Sequence, residues 1–118
     1  MTPKAFTAAA AALPAATINI KWGDHQTFCV GGEMFAMCGG SEEPARYNLK
    51  ASDIGFEALV EQGLAIPAPY MQRAKWLQFA SDALPDEEFE ALLKQAHAIV
   101  AAKLTKKARR ELGLDPAP

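Results

Sequence analysis

Gly31-Gly32 divides two apolar runs, His25 to Val30 (HQTFCV) and Glu33 to Cys38 (EMFAMC). Two consecutive glycines can both take φ > 0 without a Cβ clash, which is what the tightest hairpin turns demand. The pair therefore calls for an antiparallel ribbon, and a ribbon alone is not stable in water. More strands and a helical layer must complete it. A plain two-residue loop sets Val30 opposite Glu33, Cys29 opposite Met34, Phe28 opposite Phe35, Thr27 opposite Ala36 and His25 opposite Cys38. Opposed residues share a face, so Phe28, Val30, Phe35 and Met37 are expected to face the core. Cys29, Met34, Ala36 and Cys38 are expected on the other face, which is unusually apolar for a solvated side and suggests a covering element or partner.

The surrounding chain supplies the missing elements. Phe6, Ala9, Ala10 and Leu13 recur at helical spacing, with Thr2 as N-cap and Pro3 at the first helical position. This reads as an ordinary first helix, although Lys4 followed by AFTAAAAALPAAT superficially imitates a signal peptide. Thr17 to Lys21 alternates as a strand, and Trp22-Gly23-Asp24 turns into the next. Beyond the acidic loop Gly39 to Ala45, Tyr47 and Leu49 mark a fourth strand ending near Lys50. Ser52 caps a short helix bearing Phe56, Leu59 and Val60, with Gly63 as its stop. Pro67 and Pro69 force an extended segment. Lys75 to Phe79 reads as a strand with Trp76 and Gln78 on one face and Leu77 and Phe79 on the other. Asp86 is the expected cap of a helix with the stripe Phe89, Leu92, Leu93, Ala96, Ile99 and Val100. Thr105 is expected to cap a final short helix. The expectation is one α+β domain over residues 1–118, with about five or six antiparallel strands packed against N-terminal, middle and C-terminal helices.

With half its residues hydrophobic and 22% charged, the chain is globular in composition. No apolar run approaches the roughly 20 residues that span a bilayer. Two cysteines make no disulfide framework and fit a reducing cytoplasm. In the expected ladder they lie roughly 13 Å apart, beyond bridging reach. Charge is segregated. Residues 1–102 carry seven Lys/Arg against twelve Asp/Glu, whereas residues 103–118 carry five against two.

The basic segment is KLTKKARREL, Lys103 to Leu112. At about 100° per residue, Lys106, Lys107, Arg109 and Arg110 fall on one half of a helix, and Leu104, Ala108 and Leu112 on the other. The bland reading is a solvated terminal helix; the functional one is a phosphate-contacting face. Trp22, Tyr70 and Trp76 are candidate groove aromatics, with Lys50, Arg73 and Lys75 beside them, a combination suited to gripping phosphates and stacking on bases. Enzymatic chemistry rests only on His25 opposite Cys38, with no third orienting residue, so no catalytic residue is assigned. Two histidines without HExxH or CxxC spacing suggest no metal site and no cofactor. Gly31-Gly32 lacks the phosphate-loop patterns and joins strand to strand.

Taken in order, Leu13-Pro14-Ala15, Trp22, Phe28, Val30-Gly31-Gly32 through Met34-Phe35-Ala36, Leu49-Lys50, Pro69-Tyr70, Lys75-Trp76 and KLTKKARREL resemble the MmcQ/YjbR family of small bacterial proteins. Glu33 stands where a lysine is common in that family, and Thr105 where a proline is common. The resemblance implies a fold similar to type III secretion chaperones and to the double-wing DNA-binding domain of a phage transcription activator. Family members are described as DNA-binding on that likeness of fold, and together with the segregated basic helix this gives the expectation of a non-enzymatic DNA-binding protein in the cytoplasm, with phosphate contacts from Lys106, Lys107, Arg109 and Arg110 and from Lys50, Arg73 and Lys75 on the sheet side. The alternative is a protein-interaction or chaperone-like module that forms a homodimer or binds a partner.

Overall fold

The glycine hairpin forms, but its ladder slips by one residue. In the computed structural model, which describes residues 1–21, 25–39 and 44–114, β2 (His25–Val30) and β3 (Glu33–Gly39) pair as Val30 with Glu33 and Cys29 with Met34. Phe28 then pairs with Ala36, Thr27 with Met37 and Gln26 with Cys38. Phe35 is the extra residue of a β-bulge, so Phe35 and Ala36 both reach the core and the alternation resumes in reversed phase. This corrects three expectations. Phe28 is opposite Ala36, Met37 leaves the main core, and Ala36 and Cys38 join it. A fourth follows from the same slip: Gln26, not His25, stands opposite Cys38.

The described strands form one antiparallel sheet in the order β1-β2-β3-β4-β6-β5. β1 spans Ala16–Lys21, β4 Arg46–Lys50, β5 Ile66–Pro67 and β6 Trp76–Ala80. Four described helices accompany it: α1 (Pro3–Ala11), α2 (Asp53–Glu61), α3 (Asp86–Ala102) and α4 (Lys106–Glu111). Thr2, Ser52 and Thr105 accept from the backbone N–H groups of Ala5, Gly55 and Ala108, so three caps stand where their sequence signals put them. Asp86 is instead the first residue of α3 behind Pro85, and its carboxylate acts on the helix dipole rather than as a cap.

One face of the sheet carries the core. Phe6 of α1 stacks on Tyr47 at 4.1 Å, Tyr47 meets Phe89 of α3 edge-on at 5.5 Å, and Phe89 meets Phe79 at 5.6 Å. These offset and edge-on geometries suit the ring quadrupoles. The Tyr47 hydroxyl donates to the Met1 carbonyl at 2.5 Å, which satisfies the polar end of a fully buried ring. His97 is likewise a satisfied core residue: it is buried against Phe35, with Nε2 2.7 Å from the Pro14 carbonyl oxygen. On the opposite face the register lines up Asn19, Thr27, Met37, Asn48, Gln78 and Ile66 across all six strands. That row is mixed in polarity, because the bulge has given two of the expected apolar residues to the core.

α4 closes the hairpin end. Leu104 packs against the core cluster and Leu114 is buried within it. Leu104 and Leu112 both reach over Gly31, close to where a Cβ would stand.

Candidate nucleic-acid interface

A cleft of about 450 Å³ opens where the sheet meets the corner between α3 and α4. One wall is Met34, Lys50 and Trp76 at the strand ends, with Ala74 of the adjoining 3₁₀ turn Gln72–Ala74. The facing wall is Val100, Lys103 and Leu104 at the end of α3, then Thr105 and Ala108 of α4. Glu33, on the hairpin, stands at the same opening.

Local folding explains why lysines meet here. Lys50 closes β4 on the face away from the core, and its ammonium donates to the Ala51 carbonyl at 3.1 Å and to the Ala74 carbonyl. Those two bonds fix the charge in place and tie the 68–76 loop to β4. Lys103 is the C-cap of α3, where a cation meets the negative end of the helix dipole. Lys75 rests its ammonium 4.9 Å from the centre of the Phe56 ring, a cation–π contact. Burial pushes the Lys50 pKa below its ordinary value, and the positive charges of Lys103 and Lys75 push the same way against Asp53. Lys103 and Lys75 therefore both act on the charge of Lys50, although Lys75 itself is turned toward Phe56.

The other expected contact residues are distributed as follows. Arg73 is exposed on the 3₁₀ turn, and Lys106 and Lys107 are exposed on α4. Arg109 is not on the outer face. Its guanidinium turns back on the end of α3, donating to the Leu104 carbonyl at 2.6 Å and to that of Ala102 at 3.4 Å. Its Nε is buried without a hydrogen-bond partner, so this side chain is spent on structure. Arg110 is exposed and engaged in an interaction of its own. Trp76 is buried and contributes to the cleft wall, whereas Tyr70 stands entirely in solvent; the two do not form a shared exposed groove. Trp22 lies outside the described residues.

Lys103 is the residue that sequence reading overlooked. It opens the basic segment, but only the turn between α3 and α4 brings it opposite Lys50. Cys38 is buried in the core, and burial raises its thiol pKa, the reverse of what a reactive thiolate needs. No described helix is long and apolar enough to cross a membrane.

The comparisons with known proteins agree with this architecture. A crystal structure of Deinococcus radiodurans protein DR2400, assigned to the domain family DUF419, superposes with a TM-score of 0.86 at 25% identity. The alignment covers 99% of this chain and 91% of that one. No curated protein matches the chain. The sequence model of the YjbR family matches residues 11–99, and the chain belongs to that family.

Proposed function

We propose that this protein is a non-enzymatic nucleic-acid-binding domain that grips phosphates with its cationic end. The observation that carries the reading is that Lys50 at the end of β4 and Lys103 at the end of α3 line opposite walls of one cleft, with Lys75 close enough to act on the Lys50 charge. Like charges held together are a cost to the isolated fold that a bound polyanion removes. Arg73, Lys106 and Lys107 extend the same charge onto the exposed surface beside the cleft. Arg109 drops out of the contact set because its guanidinium turns inward, with Nη1 held by the Leu104 and Ala102 carbonyls and Nε buried.

Four exposed cations (Arg73, Lys103, Lys106 and Lys107) predict a slope of log affinity against log salt near −3.6 on duplex DNA. That corresponds to a loss of roughly 100-fold between 50 and 200 mM salt. Fluorescence anisotropy with a short labelled duplex measures it, and absence of binding at the lower salt ends the proposal.

A second reading, pairing with another copy of the chain, is favoured by one observation. β1 lies at the rim of the described sheet, with Thr17, Ile18 and Asn19 exposed and no proline among its six residues. Such an edge is a template for another strand. The opposite rim, β5, is two residues long and contains Pro67. Light scattering that finds only monomer at high concentration dismisses this reading.

A further inference from the structure

The loop from Ala68 to Trp76 holds strain that merely linking β5 to β6 does not explain. Tyr70 has φ 66° and Lys75 has φ 59°, the left-handed region that residues with a Cβ rarely adopt. The loop is nevertheless pinned. The Ala68 N–H donates to the Trp76 carbonyl at 2.9 Å, Met71 N–H to Ala68 at 3.0 Å, and Trp76 N–H to Met71 at 3.3 Å. The Ala51 N–H donates to the Lys75 carbonyl at 2.9 Å, and the Lys50 ammonium holds the Ala74 carbonyl. Strain that is over-determined in this way is a mark of a segment shaped for function.

What the strained loop achieves is display. Tyr70 is 101% exposed, and no other large apolar side chain among the described residues is as bare. Arg73 is exposed on the same loop, and Ala74 and Trp76 of that loop form part of the lysine cleft. A flat, unshielded ring therefore stands on the loop that carries the exposed Arg73 and leads into the lysine cleft. In a duplex the base faces are stacked on one another and closed to such a ring. In a single strand they are open, and stacking on an aromatic side chain is the usual means of holding them.

From this we infer that the preferred ligand is single-stranded nucleic acid, with one base stacked on Tyr70 and the flanking phosphates running over Arg73 toward Lys103. The inference rests on the phosphate-binding reading and narrows it.

The test uses the full chain and three probes: a labelled oligothymidine single strand, a duplex of equal length, and inorganic polyphosphate. The expected result is tighter binding of the single strand than of the duplex at 50 mM salt. Tyr70→Ala is expected to weaken the single strand roughly 5- to 100-fold, the range for loss of one base–aromatic stack. Tyr70→Phe keeps the ring and should bind as the parent does. Duplex and polyphosphate affinity should be unmoved by either change. Tyr70→Gly controls for folding, since it removes the ring while relieving the positive φ. It should match or exceed the parent in thermal stability and still lose the single strand. Equal affinity for single strand and duplex, or an unchanged Tyr70→Ala, overturns this inference while salt-dependent binding leaves the phosphate reading standing. A Tyr70→Ala loss that is the same for all three probes also overturns it. Failure of every probe to bind removes both readings.

Discussion

Gly31 answers two demands at once. Its φ of 59° is costly for any residue with a Cβ, and a Cβ built there would stand 2.7 and 2.9 Å from the two Leu104 methyls. Gly32 has φ 82°, yet nothing lies within 4 Å of its would-be Cβ. Gly32→Ala should therefore show backbone strain alone, about 1 kcal/mol. Gly31→Ala should add the displacement of Leu104 and cost about 2 kcal/mol in urea unfolding. Equal losses at the two positions would mean that α4 does not press on the turn. Tyr47 supports a second prediction at this scale. Burial, then the charges of Cys38 and Asp86, push its pKa from 10.0 up to about 12. Between those values the unfolded chain has lost a proton that the folded one keeps, so stability falls as pH rises. Below about pH 10 the tyrosine adds no slope. Cys38 acts in the same direction and Lys50, whose pKa is lowered, in the opposite one. Tyr47→Phe isolates the effect. It should lose about 1 kcal/mol at neutral pH with the bond to Met1, and its alkaline decline between pH 10 and 12 should be shallower than the parent's.

Among the elements, α4 is the one whose existence needs most explanation. Six residues are too few for a helix to persist alone. Thr105 caps its start, and Arg109 joins it to the end of α3 by donating to the carbonyls of Ala102, the last residue of α3, and of Leu104 in the turn that follows. Thr105→Ala should cost about 1 kcal/mol, and Arg109→Ala about 1.5 kcal/mol through its charged hydrogen bonds. Lys107→Ala should leave stability within about 0.5 kcal/mol while lowering the duplex salt slope by about 0.9. Thermal melts and anisotropy on the same three variants separate a structural cation from a contact cation. Nothing in the spacing of KLTKKARREL makes that separation, because a helical wheel shows where a side chain leaves the axis and not where its long stem ends. The bulge at Phe35 was hidden for a related reason. Every residue from Met34 to Cys38 is apolar, so the run has no alternation whose phase a slip could disturb. By contrast, Gly31-Gly32, the three hydroxyl caps and the Leu77/Phe79 alternation were legible because each is a local signal with one physical meaning. The cleft was legible only in part. Lys50 stands out in the sequence as a strand-end cation beside candidate groove aromatics, whereas Lys103 depends on a tertiary turn.

At the scale of the whole molecule, the balance of charge and not its total decides what can bind. The net charge is −2, which would repel a polyanion at long range, yet Lys50 and Lys103 face one cleft at short range. Salt screening favours the local arrangement, since at about 0.15 M the Debye length is roughly 8 Å and distant carboxylates are largely hidden. Glu33 is different, because it stands at the mouth of that cleft. Glu33→Lys changes the charge there by two without touching the core, as Glu33 is exposed at the hairpin end. On the phosphate-binding reading it should steepen the duplex salt slope by about 0.9 for the added contact and tighten binding at low salt. Without ligand the variant should be slightly less stable than the parent, since a third cation joins Lys50 and Lys103 at the cleft. With duplex at about 100 times the dissociation constant, linkage returns about 2.7 kcal/mol to either protein, so the variant should reach a given gain in melting temperature at lower duplex concentration. A variant that melts lower but binds no better would place the anion contact away from this cleft. A variant with an unchanged slope would show that a cation at position 33 makes no phosphate contact.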